Sequence, residues 1–511
     1  MTSPFYITTA INYPNGRPHV GHAYEAICAD AIARFRRLEG RDVRFQTGTD
    51  EHGLKMAQKA REMGLAPADF AEQMSAHFRE MAAAFDISFD RFIRSSEPDN
   101  HAAARALWEA MAASDDLYLG RYEGWYSIRD EAFYDESELV AGEGGAKLSP
   151  QGTPVEWNVE ESWFFRLSRY QQPLLDHIRA NPDFIRPESR RNEVLRFIEG
   201  GLNDLSVSRS SFDWGVKVPG SDGHVMYVWV DALVNYLTGL GYPDMSAPEM
   251  RFWPADLHVI GKDIVRFHTV YWPAFLMSAG VELPRSVFGH GFILNRGERM
   301  SKSSGNVVDP MELARRYGSD AVRLFLLREV RFGSDGSMSE EAIVTRANAE
   351  LANNLGNLAQ RTLSMIAKNC DGRVPALTSE TADDRALLDA IVEAQAMMVK
   401  AMESYDINGA LDAAWGAMNA ANLYIADQAP WTVRKADPTR ADAILATAHD
   451  AVRRLAIMAS WVVPAGATRL LDLAGVDANA RQFNELDRRV AAGTQLPAPS
   501  GVFPRLEVVV D

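Results

Sequence analysis

Phe5-Tyr6-Ile7-Thr8-Thr9-Ala10-Ile11-Asn12-Tyr13-Pro14-Asn15-Gly16-Arg17-Pro18-His19-Val20-Gly21-His22 is the stretch that decides the fold. Phe5 to Ile11 is β-rich, and Asn12, Pro14, Asn15 and Gly16 follow it as turn residues. From His19 the period changes. Val20, Tyr24, Ile27, Ala31, Phe35 and Leu38 recur every three or four residues, which predicts a helix with one apolar stripe. Arg44 to Thr49 then reads as a second strand. Strand, tight loop, helix, strand is the opening of a doubly wound α/β domain with a parallel sheet.

Outward from there, the composition shifts at about 118–175 to Tyr, Trp and Gly: Tyr118, Tyr122, Trp125, Tyr126, Phe133, Trp157 and Trp163. This span is expected to be an inserted, mostly β module. The α/β pattern resumes at Met226–Val230, at Leu257–Gly261 and at Ser286–Leu294, and a Gly- and Ser-containing loop follows at 296–305. Beyond about 340 the chain is Ala/Leu-rich with helical periodicity almost to 475. The expected organisation is an α/β unit over 1–117 and 176–340, the inserted module over 118–175, and an α-helical unit over 341–511.

Bulk numbers narrow the class. At 511 residues the chain exceeds one hydrophobic core, and 47% hydrophobic with 24% charged residues is ordinary for a globular enzyme. Two cysteines, Cys28 and Cys370, cannot make a four-thiolate zinc site and are a poor basis for a disulfide framework. No apolar window of roughly 18 residues suggests a membrane span. Met1-Thr2-Ser3-Pro4-Phe5 has neither a secretory nor a transit pattern, so a cytoplasmic protein is expected. A net charge of −16 argues against binding nucleic acid by overall electrostatics, so any such binding needs a local basic surface. Arg190, Arg191, Arg328, Arg331, Lys368 and Arg434 are its candidate cations.

Two elements carry phosphate chemistry. Pro18 suits the opening position of the first helix, whose N-terminal N–H groups and partial positive charge favour phosphate. Gly21 removes a side chain that would keep a nucleotide from the backbone. His19 and His22 share a face opposite the apolar stripe, where imidazoles can donate to developing charge. The second element is Arg299-Met300-Ser301-Lys302-Ser303-Ser304-Gly305, two cations and three hydroxyls in a loop able to close over a triphosphate, with Lys302 as a mobile point charge. Each element alone is more often an ordinary surface feature. The weight comes from both occurring in this order.

With these motifs as HVGH and RMSKS, the chain resembles the class I aminoacyl-tRNA synthetases, whose signatures are HIGH and KMSKS. Val20 and Arg299 are conservative departures, and His19, Gly21, His22 and Lys302 match. Ile11-Asn12-Tyr13-Pro14-Asn15-Gly16, Gly48-Thr49-Asp50-Glu51-His52-Gly53 and Gly261-Lys262-Asp263-Ile264-Val265-Arg266-Phe267-His268 resemble the methionyl-tRNA synthetase family in particular. The resemblance runs from Thr8 to Phe503-Pro504-Arg505. It implies a Rossmann-like catalytic domain with a C-terminal helical anticodon-binding domain. The implied activity is a ligase that makes methionyl-adenylate from methionine and ATP and charges tRNA(Met), supporting translation initiation and elongation.

Carried over residue by residue, catalysis falls to His19, His22 and Lys302, and ATP binding to Asn15, Gly21, Gly261, Asp263, Arg299, Ser301, Lys302 and Ser303. The methionine pocket would be Ile11, Tyr13, Asp50, Trp229, Leu233, Tyr236, Ile264, His268 and Trp272. Asp50 would hold the substrate amine by a charge-assisted hydrogen bond. Leu233 stands where some relatives have proline. Ile264, His268 and Trp272, at i, i+4 and i+8, are expected on one helix face, and Pro273 is expected to kink or end that helix. An aromatic ring beside a thioether is a favourable contact. Anticodon readers would be Asn357, Arg361 and Trp431, using base edges and stacking. Many relatives hold zinc in the insertion through CxxC pairs; neither Cys28 nor Cys370 lies there, so Trp125–Asp130 and Glu156-Trp157-Asn158 suggest the metal-free form. Mg2+ is implied with ATP.

Synthetases for isoleucine, valine and leucine carry a large editing insertion, because a methylene is worth only roughly 1–3 kcal/mol in discrimination; the insertion here is too short for one. The alternatives are another class I synthetase such as that for cysteine, a non-catalytic RNA-binding relative, and an adenylating ligase acting without tRNA. A monomer is expected.

Overall fold

The computed structural model describes residues 3–130, 132–300 and 305–508, leaving aside the side chains at 122, 132, 133, 143 and 160. Six strands form one parallel sheet: β1 (Pro4–Asn12), β2 (Asp42–Thr49), β3 (Arg91–Arg94), β7 (Ile185–Arg186), β9 (Leu257–Gly261) and β10 (Val287–His290), in the order β3-β2-β1-β9-β10-β7. Strand order reverses between β1 and β9. In open α/β sheets the crevice at such a switch point, beyond the strands' C-terminal ends, is where ligands bind. The β1–β2 ladder slips between Thr8 and Ile11, so β1 reaches that crevice as an irregular strand.

Helix α1 (Val20–Leu38) crosses from β1 to β2. The single stripe expected from the sequence is too narrow a description. Ala23, Ala26, Ala29 and Ala33 are buried as well, and so is Asp30, ion-paired with Arg323 of α4 (Ser319–Glu329), which packs against α1. The small alanines make that close approach possible.

The inserted module is an antiparallel sheet of β4 (Leu117–Ser127), β5 (Ala132–Tyr134), β6 (Glu156–Phe165) and β8 (Leu205–Ser206). It therefore reaches beyond 118–175. The chain returns to the main sheet at β7 and then comes back to the module at β8, a two-residue strand too short to leave a periodic signal.

The C-terminal part is helical: α5 (Asn357–Asn369), α6 (Ala382–Glu403), α7 (Ile407–Gln428) and α8 (Pro438–Ala459). Its core is continuous with that of the α/β unit, and Phe35 of α1 meets Trp461 edge-on with ring centroids 5.6 Å apart. Composition marks where helix begins to dominate, not where one core ends. No helix among the described residues is long and apolar enough to cross a membrane.

Candidate active site

At the switch point lies a cavity of about 780 Å3, within the size range usual for small-molecule sites. Its phosphate end is built by the start of α1. Helix α1 begins at Val20 with His19 as N-cap, so Pro18 precedes the cap rather than opening the helix. The histidines cap reciprocally: Gly21 N–H donates to His19 Nδ1 at 3.1 Å, and His19 N–H donates to His22 Nδ1 at 3.0 Å. Both Nδ1 atoms act as acceptors, so the neutral rings carry their proton on Nε2. The rings stack, centroids 3.8 Å apart. They therefore offer two parallel donors rather than two independent surface groups. Gly21 is required for a nearer reason than nucleotide access: a Cβ there would sit 2.9 Å from His19 Cε1.

One turn on, Glu25 lines the same cavity and bonds His290 Nε2 at 2.8 Å, while His290 Nδ1–H donates to Gly291 O at 2.8 Å. Burial pushes the Glu25 carboxyl up. Burial would lower His290, but the bond to Glu25 outweighs it and raises that imidazole too. The pair thus keeps its shared proton. Neither residue was picked out from the sequence; the only signal is that Glu25 follows His22 by three positions on one helix face.

Asn15, Gly21, Gly261, Asp263 and Arg299 all line this end. Gly261 ends β9, and a Cβ there would meet Asp263 Oδ1 at 2.6 Å. Two cations, Lys262 and Arg299, each lie 4.5 Å from the centroid of the Phe292 ring. Ser301, Lys302 and Ser303 lie outside the described residues.

The other end is aromatic. Trp229 stacks on Phe267 at 3.8 Å. His268 Nδ1–H donates to Ile264 O at 3.0 Å, leaving Nε2 to accept from Tyr236 O–H at 2.7 Å. Burial holds the His268 pKa down at about 4, so the ring is neutral. Ile11, Tyr13, Asp50, Trp229, Leu233, Tyr236, Ile264 and His268 line the cavity. Trp272 does not: it is fully buried behind Tyr236, centroids 6.1 Å apart. Its displacement follows from the backbone. Residues Phe267–Tyr271 form a π-turn within a helix that runs on through Trp272, the backbone staying α-helical at Tyr271 (φ −70°, ψ −49°) and Trp272 (φ −58°, ψ −51°). The wider turn shifts the i, i+4, i+8 face, and Pro273 does not end the helix, which continues to Ala279.

The inserted module contributes Arg129, Asp130, Gln151 and Thr153 to the cavity wall. Asp130 accepts from Tyr134 O–H at 3.0 Å, Ser149 O–H at 2.6 Å and Thr153 O–H at 2.5 Å. Hydroxyls converging on a carboxylate hold this turn together. Among the described residues no group of three or more His, Cys, Asp or Glu could hold a metal ion.

On the helical unit, Asn357 is exposed in the first turn of α5 and the Arg361 guanidinium lies 5.2 Å from the centre of the Trp431 ring. Trp431 is 47% exposed, behind Ala429 at φ 39°, and so is not the core tryptophan that its surroundings in sequence suggest. Four of the six candidate cations are engaged by carboxylates: Arg190 by Glu193, Arg191 by Glu188, Arg328 by Asp412, and Arg434 by Asp442. Arg331 and Lys368 have no such partner among the described residues.

A parallel sheet split at its switch point, a histidine-capped helix facing the same cavity as Arg299, and an appended helical unit define a class I tRNA synthetase. The family of class I tRNA synthetases (M) matches residues 5–363, and the anticodon-binding domain of methionyl tRNA ligase matches 374–508. The methionine–tRNA ligases of Mesorhizobium japonicum and Mycobacterium tuberculosis are each 56% identical, over 98% and 99% of this chain and 97% and 98% of theirs. The structure of Mycobacterium tuberculosis methionyl-tRNA synthetase in complex with methionyl-adenylate matches with a TM-score of 0.96 at 55% identity, covering 99% of this chain and 100% of that one. The chain belongs to the methionine–tRNA ligase family.

Proposed function

We propose that this cleft joins methionine to AMP and then to tRNA(Met), with its two ends dividing the work. A methionine carboxylate oxygen attacks the α-phosphorus of ATP, the bond to the β-phosphate breaks, and pyrophosphate leaves. The terminal ribose hydroxyl of tRNA then attacks the activated carbonyl, and AMP leaves. His19 and His22 donate through Nε2 to the phosphate, and Lys302 neutralises the pyrophosphate. Asn15, Gly21, Gly261, Asp263, Arg299, Ser301 and Ser303 hold the nucleotide. Asp50 takes the substrate ammonium, and Ile11, Tyr13, Trp229, Leu233, Tyr236, Ile264 and His268 enclose the thioether. Trp272 acts from behind Tyr236. No protein nucleophile is required; positioning and fixed charge do the work.

Asp263, exposed at the phosphate end, would be an oxygen donor for Mg2+, which would supply charge neutralisation on the triphosphate. Zinc has no role in the inserted module, where the hydroxyls around Asp130 take its structural place. Asn357, Arg361 and Trp431 read the anticodon, and the protein works as a cytoplasmic monomer. The catalytic unit spans 1–117 and 176–340, the inserted module 118–175 with β8 returning to its sheet, and the anticodon-binding unit 341–511.

One observation carries the reading: donors suited to phosphate and an apolar, aromatic pocket bearing the buried Asp50 carboxylate open into the same cavity. The test is ATP–pyrophosphate exchange with each of the twenty amino acids. Exchange with methionine alone is expected, and Lys302→Ala should lower it by about 10²-fold or more. No exchange with any amino acid refutes the proposal.

A further inference from the structure

His52 stands two residues beyond Asp50 and does not line the cavity, yet it is almost fully buried. Its Nδ1–H donates to the carboxylate of Asp231. Asp231 lies on the short helix α3 (Val228–Leu233), between Trp229 and Leu233, and its second carboxylate oxygen is buried without a partner. Since Asp231 can only accept, His52 keeps its Nε2 lone pair, which faces His101 Nε2 at 3.3 Å. His101 is the donor there. Burial holds its pKa below the usual histidine value, as suits a neutral ring.

The neighbouring residue repeats the connection. Asn100, at the start of helix α2 (Pro98–Ala113), donates to Ser95 O at 3.1 Å and to Asp231 O at 2.9 Å. Ser95 O–H in turn donates to Asp50 at 3.2 Å. Trp214 packs edge-on against the His52 ring, centroids 5.2 Å apart, and donates to Glu51 O at 2.6 Å. His52 thus stands on one wall and is tied to a second by Asp231, with His101 of α2 and Trp214 packed against its ring. One wall is the Asp50–Gly53 loop; the other is α3. Neither wall includes the residues at the phosphate end, which come from the β1–α1 loop, α1, the ends of β9 and β10 and the segment at Arg299.

We propose that His52, backed by Asp231 and His101, is a positioning residue for methionine. It locks the wall bearing Asp50 to the wall bearing Trp229 and Leu233, and so sets methionine affinity without touching substrate. The proposal rests on those three residues binding methionine. Its signature is selective: a loosened lock should weaken methionine and leave ATP alone.

The experiment is methionine-dependent ATP–pyrophosphate exchange, with KM measured for each substrate. His52→Leu removes both ring bonds, and His52→Asn keeps an amide donor near the Nδ1 position. For His52→Leu, KM for methionine should rise at least about tenfold with KM for ATP within about twofold, and His52→Asn should recover most of the loss. An unchanged methionine KM in folded His52→Leu overturns the proposal. So does a parallel rise in both KM values, which would mean general disorder of the site. If His52→Leu does not fold, His101→Phe breaks only the outer bond; a rise of about threefold for methionine alone supports the lock, and no rise overturns it. Wild-type protein without methionine-dependent exchange would instead sink the underlying reading of the pocket.

Discussion

Asp30 and Arg323 form an ion pair at 2.7 Å with both side chains fully buried, and it joins α1 to α4 where the α/β and helical units meet. Arg323 also donates to Val462 O at 2.9 Å, Phe85 O at 3.0 Å and Trp461 O at 3.1 Å. Asp30 is served by Arg34 at 2.8 Å and by the N–H and O–H of Ser88 at 2.7 and 2.6 Å. Arg323→Ala strips the buried carboxylate of its closest cation and leaves three carbonyls without that donor. Breaking such a pair costs about 3–5 kcal/mol, and total stability is only about 5–15 kcal/mol. Asp30→Asn leaves the guanidinium buried without its charge, but its carbonyl contacts survive, so its cost should sit at the lower end of that range.

The double variant Asp30→Leu with Arg323→Met decides the cause. If desolvated charge dominates, removing both partners should cost less than removing Arg323 alone. Urea midpoints followed by tryptophan fluorescence measure all three, and methionine-dependent exchange at low temperature reports whether α1 still presents His19 and His22. Acid adds a second arm. Burial raises the Asp30 carboxyl, but Arg323, Arg34 and Ser88 outweigh it and hold the pKa below the ordinary carboxylate value. A depressed folded pKa contributes stability fully above the unfolded value of about 3.9 and loses it as pH falls further. Asp30→Asn should lack that loss. Single variants within about 0.5 kcal/mol of wild type, or a double variant as costly as the sum of the singles, would refute the reasoning.

Gly48→Ala places a Cβ 2.0 Å from Ile93 O, a backbone atom that cannot swing aside; a loss of about 3 kcal/mol, the upper end for overpacking, is expected in urea unfolding. Burial holds His268 down at about 4, against 6.5 when unfolded. The unfolded chain therefore takes up a proton that the folded one refuses, and stability should fall by about 1.4 kcal/mol per pH unit between those values; His268→Gln should flatten that slope in melts at stepped pH. Trp431→Ala removes a stacking surface worth about 1–3 kcal/mol per base. It should raise KM for tRNA roughly 5- to 150-fold in charging assays while leaving pyrophosphate exchange unchanged, and an equal effect in both assays would place Trp431 outside RNA recognition.

The parts of the fold legible in the sequence are those written locally. Phe5–Ile11, the turn behind it and the helix after it announce themselves through period and punctuation. What escaped has a physical reason each time. His19 is not among the side chains that usually cap helices, so the reciprocal cap with His22 is visible only once the rings are in place. The π-turn at Phe267–Tyr271 has no sequence period of its own, so the Ile264–Trp272 face read as regular when it is shifted. Glu25 and His290 are 265 positions apart, and no spacing rule joins them. Asp130 looks like any polar turn residue until Tyr134, Ser149 and Thr153 converge on it.

The net charge of −16 is the one bulk property that pointed away from RNA, and the distribution of ion pairs explains why it misleads. Long-range steering follows total charge, but held affinity follows the cations that can reach a phosphate. Arg190, Arg191, Arg328 and Arg434 are engaged by neighbouring carboxylates and add little net field. Around Trp431 the balance differs: Arg361 and Lys368 stand seven residues apart on α5, Lys435 follows Trp431 by four, and no carboxylate among the described residues pairs with these three. On the proposed function, an acidic body would repel RNA over much of its surface and hold it where Arg361 and the exposed Trp431 stand together. Net acidity would then narrow where a tRNA can dwell and favour the proposed seat at α5 and Trp431 over indiscriminate binding.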